Sequence, residues 1–134
     1  MENSKQFVLI LVVLILGTSA ISMAQQSKPW EVPAKFKTMK SPVKSDDATI
    51  QAGKALYLKN CAACHGKTGL GDGPKSKGIN TPVASFLKTE YQSQSDGEQF
   101  YKSKFGRGDM PKYEGKIDDD GLWQIVAYLR TLKK

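Results

Sequence analysis

Two cysteines and one histidine in 134 residues set the first limits. A small disulfide-stapled scaffold takes at least about four cysteines, so that class is excluded. A single histidine excludes any site built from two imidazoles. Long apolar runs are scarce: the longest, Phe7 to Leu16, has ten residues, about half of the ~20 that a bilayer-spanning helix needs. Period-two alternation between hairpin turns is missing, so no sheet is expected. Internal repeats and low-complexity tracts are missing as well. Acidic residues are the minority, 13 against 20 Lys and Arg, for a net charge of +7. Such an excess suits nucleic acid, an anionic membrane or an acidic protein, and says nothing about fold. What is present, 40% hydrophobic and 25% charged residues, fits one ordinary globular domain.

The chain divides by composition. Lys5, the apolar run and the small-x-small site Ser22-Met23-Ala24 read as a secretory signal over residues 1–24. A retained anchor is the alternative, since Glu2 weakens the positive start. Either way the domain is expected to be exported, to the periplasm or tethered at the outer face of the inner membrane. Residues 25–44 carry Pro29, Pro33 and Pro42 and five lysines against one glutamate. Three prolines forbid a continuous helix and favour an extended arm. The arm is either a solvated linker or, through Trp30, Val32, Phe36 and Met39, a strap lying on the domain. Residues 45–134 read as helices joined by long glycine-rich loops.

Local signals place three helices. The first starts at Ser45-Asp46-Asp47 and runs towards Asn60, with Gly53 unexplained by propensity. A shorter one is signalled by the capping-box pattern Ser95-Asp96-Gly97-Glu98 and ends at Gly106-Arg107-Gly108. The last carries Leu122, Ile125, Val126, Leu129 and Leu132 on one face, with aspartates 118–120 at its start and Arg130, Lys133 and Lys134 at its end, as the helix dipole favours. The aspartates are read as caps, because Lys116 occupies the first position that a calcium loop would require.

Chemistry concentrates in Cys61-Ala62-Ala63-Cys64-His65, the attachment sequence of c-type haem. Two thiols three residues apart can form thioethers along one haem edge, and the adjacent imidazole then lies under the iron. The competing readings fit less well. A zinc site would need a carboxylate as fourth ligand. A redox dithiol would need strand-helix-strand surroundings, and a thiol nucleophile would need its base from a distant segment. From Asp46 to Leu132 the sequence resembles the single-haem, class I cytochrome c family. The resemblance implies a mostly α cytochrome c fold, three to five helices wrapped around one covalent haem c, with long loops.

With His65 used, Met39 and Met110 remain for the sixth iron position once Met1 and Met23 are assigned to the signal. Met110 stands in Gly106-Arg107-Gly108-Asp109-Met110-Pro111, similar to the distal loop of the family, so it is expected as the axial ligand. His and Met fill both axial positions and leave one-electron transfer as the expected activity, without enzymatic bond chemistry. A labile sixth ligand is the alternative, giving a protein that binds a small gas or peroxide. The loop from Gly66 to Pro74 fits neither phosphate-binding pattern: Cys61 replaces the first Walker glycine, and Pro74 the last dinucleotide glycine. It resembles instead the loop in which a proline carbonyl accepts the proximal imidazole N–H. Pro74 is the first candidate for that carbonyl and Pro82 the second.

The resemblance also implies that the first and last helices cross at Gly53 with Tyr57, Trp123 and Tyr128. Phe86, Leu87 and Trp123 are expected as haem-pocket walls. No nucleic-acid motif accompanies the basic charge. A monomer meeting acidic redox partners is expected, with Lys67, Lys75, Lys77, Lys112 and Lys116 in the loops around the haem. Membrane contact is expected only if residues 1–24 are retained.

Overall fold

The computed structural model describes residues 29–133. The signal or anchor expected over residues 1–24 lies outside the described residues, as do 25–28 and Lys134. The chain falls into two units, 1–30 and 31–134, and the domain is the second.

Its long helices start where local chemistry says they should. In α2 (Asp47–Asn60) the Asp46 side chain caps the Thr49 amide at 3.0 Å. In α5 (Asp96–Phe105) the Ser95 hydroxyl accepts from the Glu98 amide while the Glu98 carboxylate accepts from the Ser95 amide, a complete capping box. In α6 (Asp119–Thr131) the Asp118 carboxylate accepts from the Gly121 amide at 2.7 Å. Each cap satisfies an amide that the first helical turn leaves orphaned. Single-turn helices complete the set: α1 (Ala34–Lys37), α3 (Ala62–His65) and α4 (Thr89–Gln92), with a 3-10 turn at Pro74–Gly78. Among the described residues no strand forms beyond an isolated bridge between Arg107 and Met110.

The core is the apolar face of α6 against α2. Leu122, Ile125, Val126 and Leu129 are almost wholly buried, each worth ~1.5–3 kcal/mol of transfer free energy. Helix α2 can approach only because residue 53 lacks a side chain, since a methyl there would sit 1.9 Å from the Gln124 carbonyl oxygen. Tyr57 and Tyr128 flank the crossing, with ring centroids 5.2 Å apart. Trp123 departs from the expected arrangement: it faces α5 and stacks flat on Phe100 at 4.2 Å. Consecutive residues of a helix point about 100° apart, so Trp123 faces a different neighbour from Gln124 and Ile125.

The arm also departs from a plain extended strap. One helical turn forms after Pro33, whose fixed φ suits the position before a helix. Phe36 of that turn is buried against α5, 4.8 Å from the Tyr101 ring, 5.8 Å from Phe105 and 6.4 Å from Phe100. Gly97 permits the contact, because a side chain there would collide with the Phe36 carbonyl oxygen and the Met39 Cβ.

Arg130 joins the end of α6 to the start of α5. Its guanidinium donates to the Asp96 carboxylate at 2.7 Å and to the carbonyls of Gln92 and Gln94.

Candidate haem-attachment site

The attachment peptide begins where α2 ends. Cys61 closes α2 through its amide, which donates to the Tyr57 carbonyl at 2.8 Å, and it also opens α3. Cys64 and His65 both donate their amides back to the Cys61 carbonyl. All three reactive side chains therefore lie on one tight turn. Phenols hold that turn at both ends. The Tyr57 hydroxyl, buried in the core, donates to the Gly66 carbonyl just after His65. The Tyr113 hydroxyl donates to the Asn60 carbonyl just before Cys61. Burial, and then the nearby Cys61 and Cys64 thiols, push the Tyr113 pKa up to about 12, so this donor keeps its proton in ordinary buffers.

The thiols are not paired with each other. Burial, with Cys64 adding to it, pushes the Cys61 thiol up to about 12. Without a metal or a base beside it, such a thiol stays protonated and is a poor nucleophile. Among the described residues no group of three or more Cys, His, Asp or Glu could hold a metal ion. The zinc reading of the peptide thus lacks its further ligands.

His65 is held neutral, burial lowering its pKa while a bond to a carbonyl pulls weakly the other way. That carbonyl belongs to Ala84, 3.3 Å from Nδ1. A carbonyl only accepts, so Nδ1 carries the proton and Nε2 keeps its lone pair for a metal.

The expectation for Pro74 is corrected here, and so is that for Pro82. The loop after His65 folds back on the attachment turn, with the Gly71 amide on the His65 carbonyl at 2.8 Å and the Gly73 amide on the Cys64 carbonyl at 3.1 Å. Residue 74 is thereby directed into the exposed 3-10 turn. The next pass of the chain comes under the imidazole instead, held by the Phe86 amide on the Gly69 carbonyl at 2.7 Å. An alanine carbonyl has no signature in a sequence, and only this register identifies it.

Phe86 was expected as a pocket wall. It is buried and stacks on the His65 ring at 4.3 Å, continuing to Tyr91 at 4.6 Å. Leu87 is half-buried beside it. Trp123 is buried against Phe100, one layer away on α5. Met110 is half-buried in a turn where it and Arg107 exchange both backbone hydrogen bonds at 3.0 Å. Met39 is engaged against Gly97. The five loop lysines, 67, 75, 77, 112 and 116, are all exposed.

These residues fit a covalent haem. Two unpaired thiols occupy one turn, a neutral imidazole presents Nε2, and an aromatic wall stacks on that imidazole. Gln99, whose Nε2 donates to the Tyr91 carbonyl, is wholly buried with Oε1 unpaired, an orphan of the kind that a bound group or ordered water completes.

A helical domain closed around Cys-x-x-Cys-His is the architecture of a single-haem, class I c-type cytochrome. Residues 48–129 match the family described as "Cytochrome C oxidase, cbb3-type, subunit III", and the chain belongs to that family. It is 31% identical over 88 residues to a quinohemoprotein alcohol dehydrogenase of Comamonas testosteroni, a match covering 66% of this chain and 12% of that protein. It is 30% identical over 100 residues to cytochrome c550 of Pseudomonas aeruginosa, covering 69% of this chain and 62% of that one. The chain thus spans less than two thirds of either relative. With cytochrome c6 of Chlorolobion braunii it shares 29% identity over 83 residues, 62% of this chain and 90% of that one. Among solved structures, a chain of a reducing HAO-like protein complex of Kuenenia stuttgartiensis superposes with a TM-score of 0.63 at 25% identity, covering 69% of this chain and 47% of that one. Membership of that family implies one covalently bound haem c, and Cys61 and Cys64 stand at the spacing its attachment needs.

Proposed function

We propose that the protein is an exported one-electron carrier with His65 and Met110 as axial ligands, moving electrons between periplasmic or membrane-bound redox partners. The observation that carries this reading is His65 with its Nδ1 proton on the Ala84 carbonyl, which frees Nε2 for the iron. When bound, the haem supplies an iron that gains and loses one electron. The residues keep that change free of other chemistry. Tyr57 and Tyr113 hold the two ends of the attachment turn, and Phe86 covers one face of the imidazole. Met110 is the expected sixth ligand, because the turn between Gly106 and Pro111 presents it outside any helix face. A filled sixth position leaves no coordination site for a substrate, which supports a carrier over an enzyme.

The exposed lysines favour an acidic partner, where charge speeds encounter without tight binding. Among the described residues no helix is long and apolar enough to cross a membrane.

Optical spectra of the holoprotein test the ligation. The ferric form is expected to show a sulfur-to-iron charge-transfer band that Met110→Ala abolishes. Rapid binding of carbon monoxide to the native ferrous protein would instead favour a gas-binding haem protein.

A further inference from the structure

Met110 is flanked by two side-chain ties that no motif announces. On one side the Asp109 carboxylate accepts from the Thr81 hydroxyl at 2.9 Å and from the Thr81 amide at 3.2 Å. Thr81 stands three residues before Ala84, whose carbonyl faces the His65 imidazole. On the other side the Tyr113 hydroxyl reaches 53 residues back in sequence to the Asn60 carbonyl, at the start of the attachment peptide. Between these ties the loop sets its own shape through the paired bonds of Arg107 and Met110, and through the Tyr113 and Glu114 amides, both on the Lys104 carbonyl. Asp109 and Tyr113 tie it to the proximal side.

We propose that Asp109 and Tyr113 are positioning residues that hold the Met110 loop in register with the attachment peptide and so set how readily the sixth iron position opens. The inference rests on Met110 as the axial ligand. For an outside ligand to enter, the loop must swing away, and the swing breaks both ties. The two differ in cost. The Thr81–Asp109 tie is exposed, so water replaces much of what is lost. The Tyr113 bond is partly buried, and its loss leaves the Asn60 carbonyl short of a partner. Tyr113 is therefore the stronger of the two.

The test uses the ferric holoprotein with imidazole as probe, reading binding affinity and rate, the sulfur-to-iron band, and amide exchange over residues 106–113. Tyr113→Phe is expected to raise imidazole affinity about tenfold, and Asp109→Ala or Thr81→Val about threefold, as the loss of one net hydrogen bond implies. Amide exchange in the loop should accelerate in parallel. Thr81→Ser, which restores the hydroxyl, should return to the native value. Tyr101→Phe, on the face of α5 that meets the strap, should leave it unmoved. Thr81→Val removes one hydroxyl at an exposed site and serves if Tyr113→Phe does not fold. If the native protein shows the sulfur band but the three variants take up imidazole as it does, the proposal is overturned. It is equally overturned if Tyr101→Phe loosens the site as much. A native protein without the band overturns the Met110 reading itself, a separate failure.

Discussion

Asp46 shows how one side chain sets an element and a pH response together. Its carboxylate caps the Thr49 amide, and that bond to the backbone, followed by the Thr49 hydroxyl, lowers its pKa below the ordinary 3.8. A carboxyl whose folded pKa is depressed contributes stability that is complete above the unfolded value and lost as pH falls through the folded one. Part of the acid unfolding limb below about pH 4 therefore belongs to Asp46. Asp46→Asn keeps an oxygen for the cap and removes the titration. Thermal melts at neutral pH should change little, while those of the variant below pH 4 should fall less steeply than the native protein's. Residues 46, 95 and 118 were legible as caps because capping joins groups only a few positions apart. Ala84 was not legible, because its role belongs to a main-chain oxygen that every residue has.

Among the elements, the docking of α1 on α5 is the feature least visible beforehand. Phe36 and Met39 gave the arm apolar surface in the sequence, but a linker would show the same residues. What decides is Gly97, whose missing side chain leaves room for the Phe36 carbonyl. Gly97→Ala should displace the strap and expose Phe36, at a cost of ~1.5–3 kcal/mol, the worth of one large buried apolar side chain. Trypsin cleavage at Lys35, Lys37 or Lys40 should then accelerate about tenfold or more, if cutting follows local opening, while the haem spectrum stays native. An unchanged cleavage rate would mean that the strap is held by other contacts. The α2–α6 crossing was more legible, since the family resemblance already implied that these helices cross at Gly53. Its aromatic partners were only partly legible, with Tyr128 at the crossing and Trp123 stacked against Phe100 of α5.

Over the whole molecule, the cofactor and the charge make separate predictions. A domain this small buries a limited core, and its aromatic layer of His65, Phe86, Tyr91 and Tyr57 is built around the attachment turn. Protein made without haem attachment should lose most of its cooperative melting transition, because the haem supplies much of the apolar core that so small a domain can bury. A sharp melt of the haem-free chain, equal to that of the holoprotein, would contradict this. The net charge of +7 should make electron transfer to an acidic partner slow by about an order of magnitude or more between low and high ionic strength. A salt-independent rate would remove the acidic-partner proposal.

The sequence by itself determined the haem-attachment motif and the ends of the long helices. Covalent attachment needs its thiols and imidazole on one short turn, and helix caps act within a few residues, so both kinds of information are local. Tertiary structure alone decided which carbonyl meets the imidazole, where Trp123 stacks, what Arg130 clamps and that the arm lies on α5. Those contacts join residues tens of positions apart, and they are selected by how closely two backbones can approach.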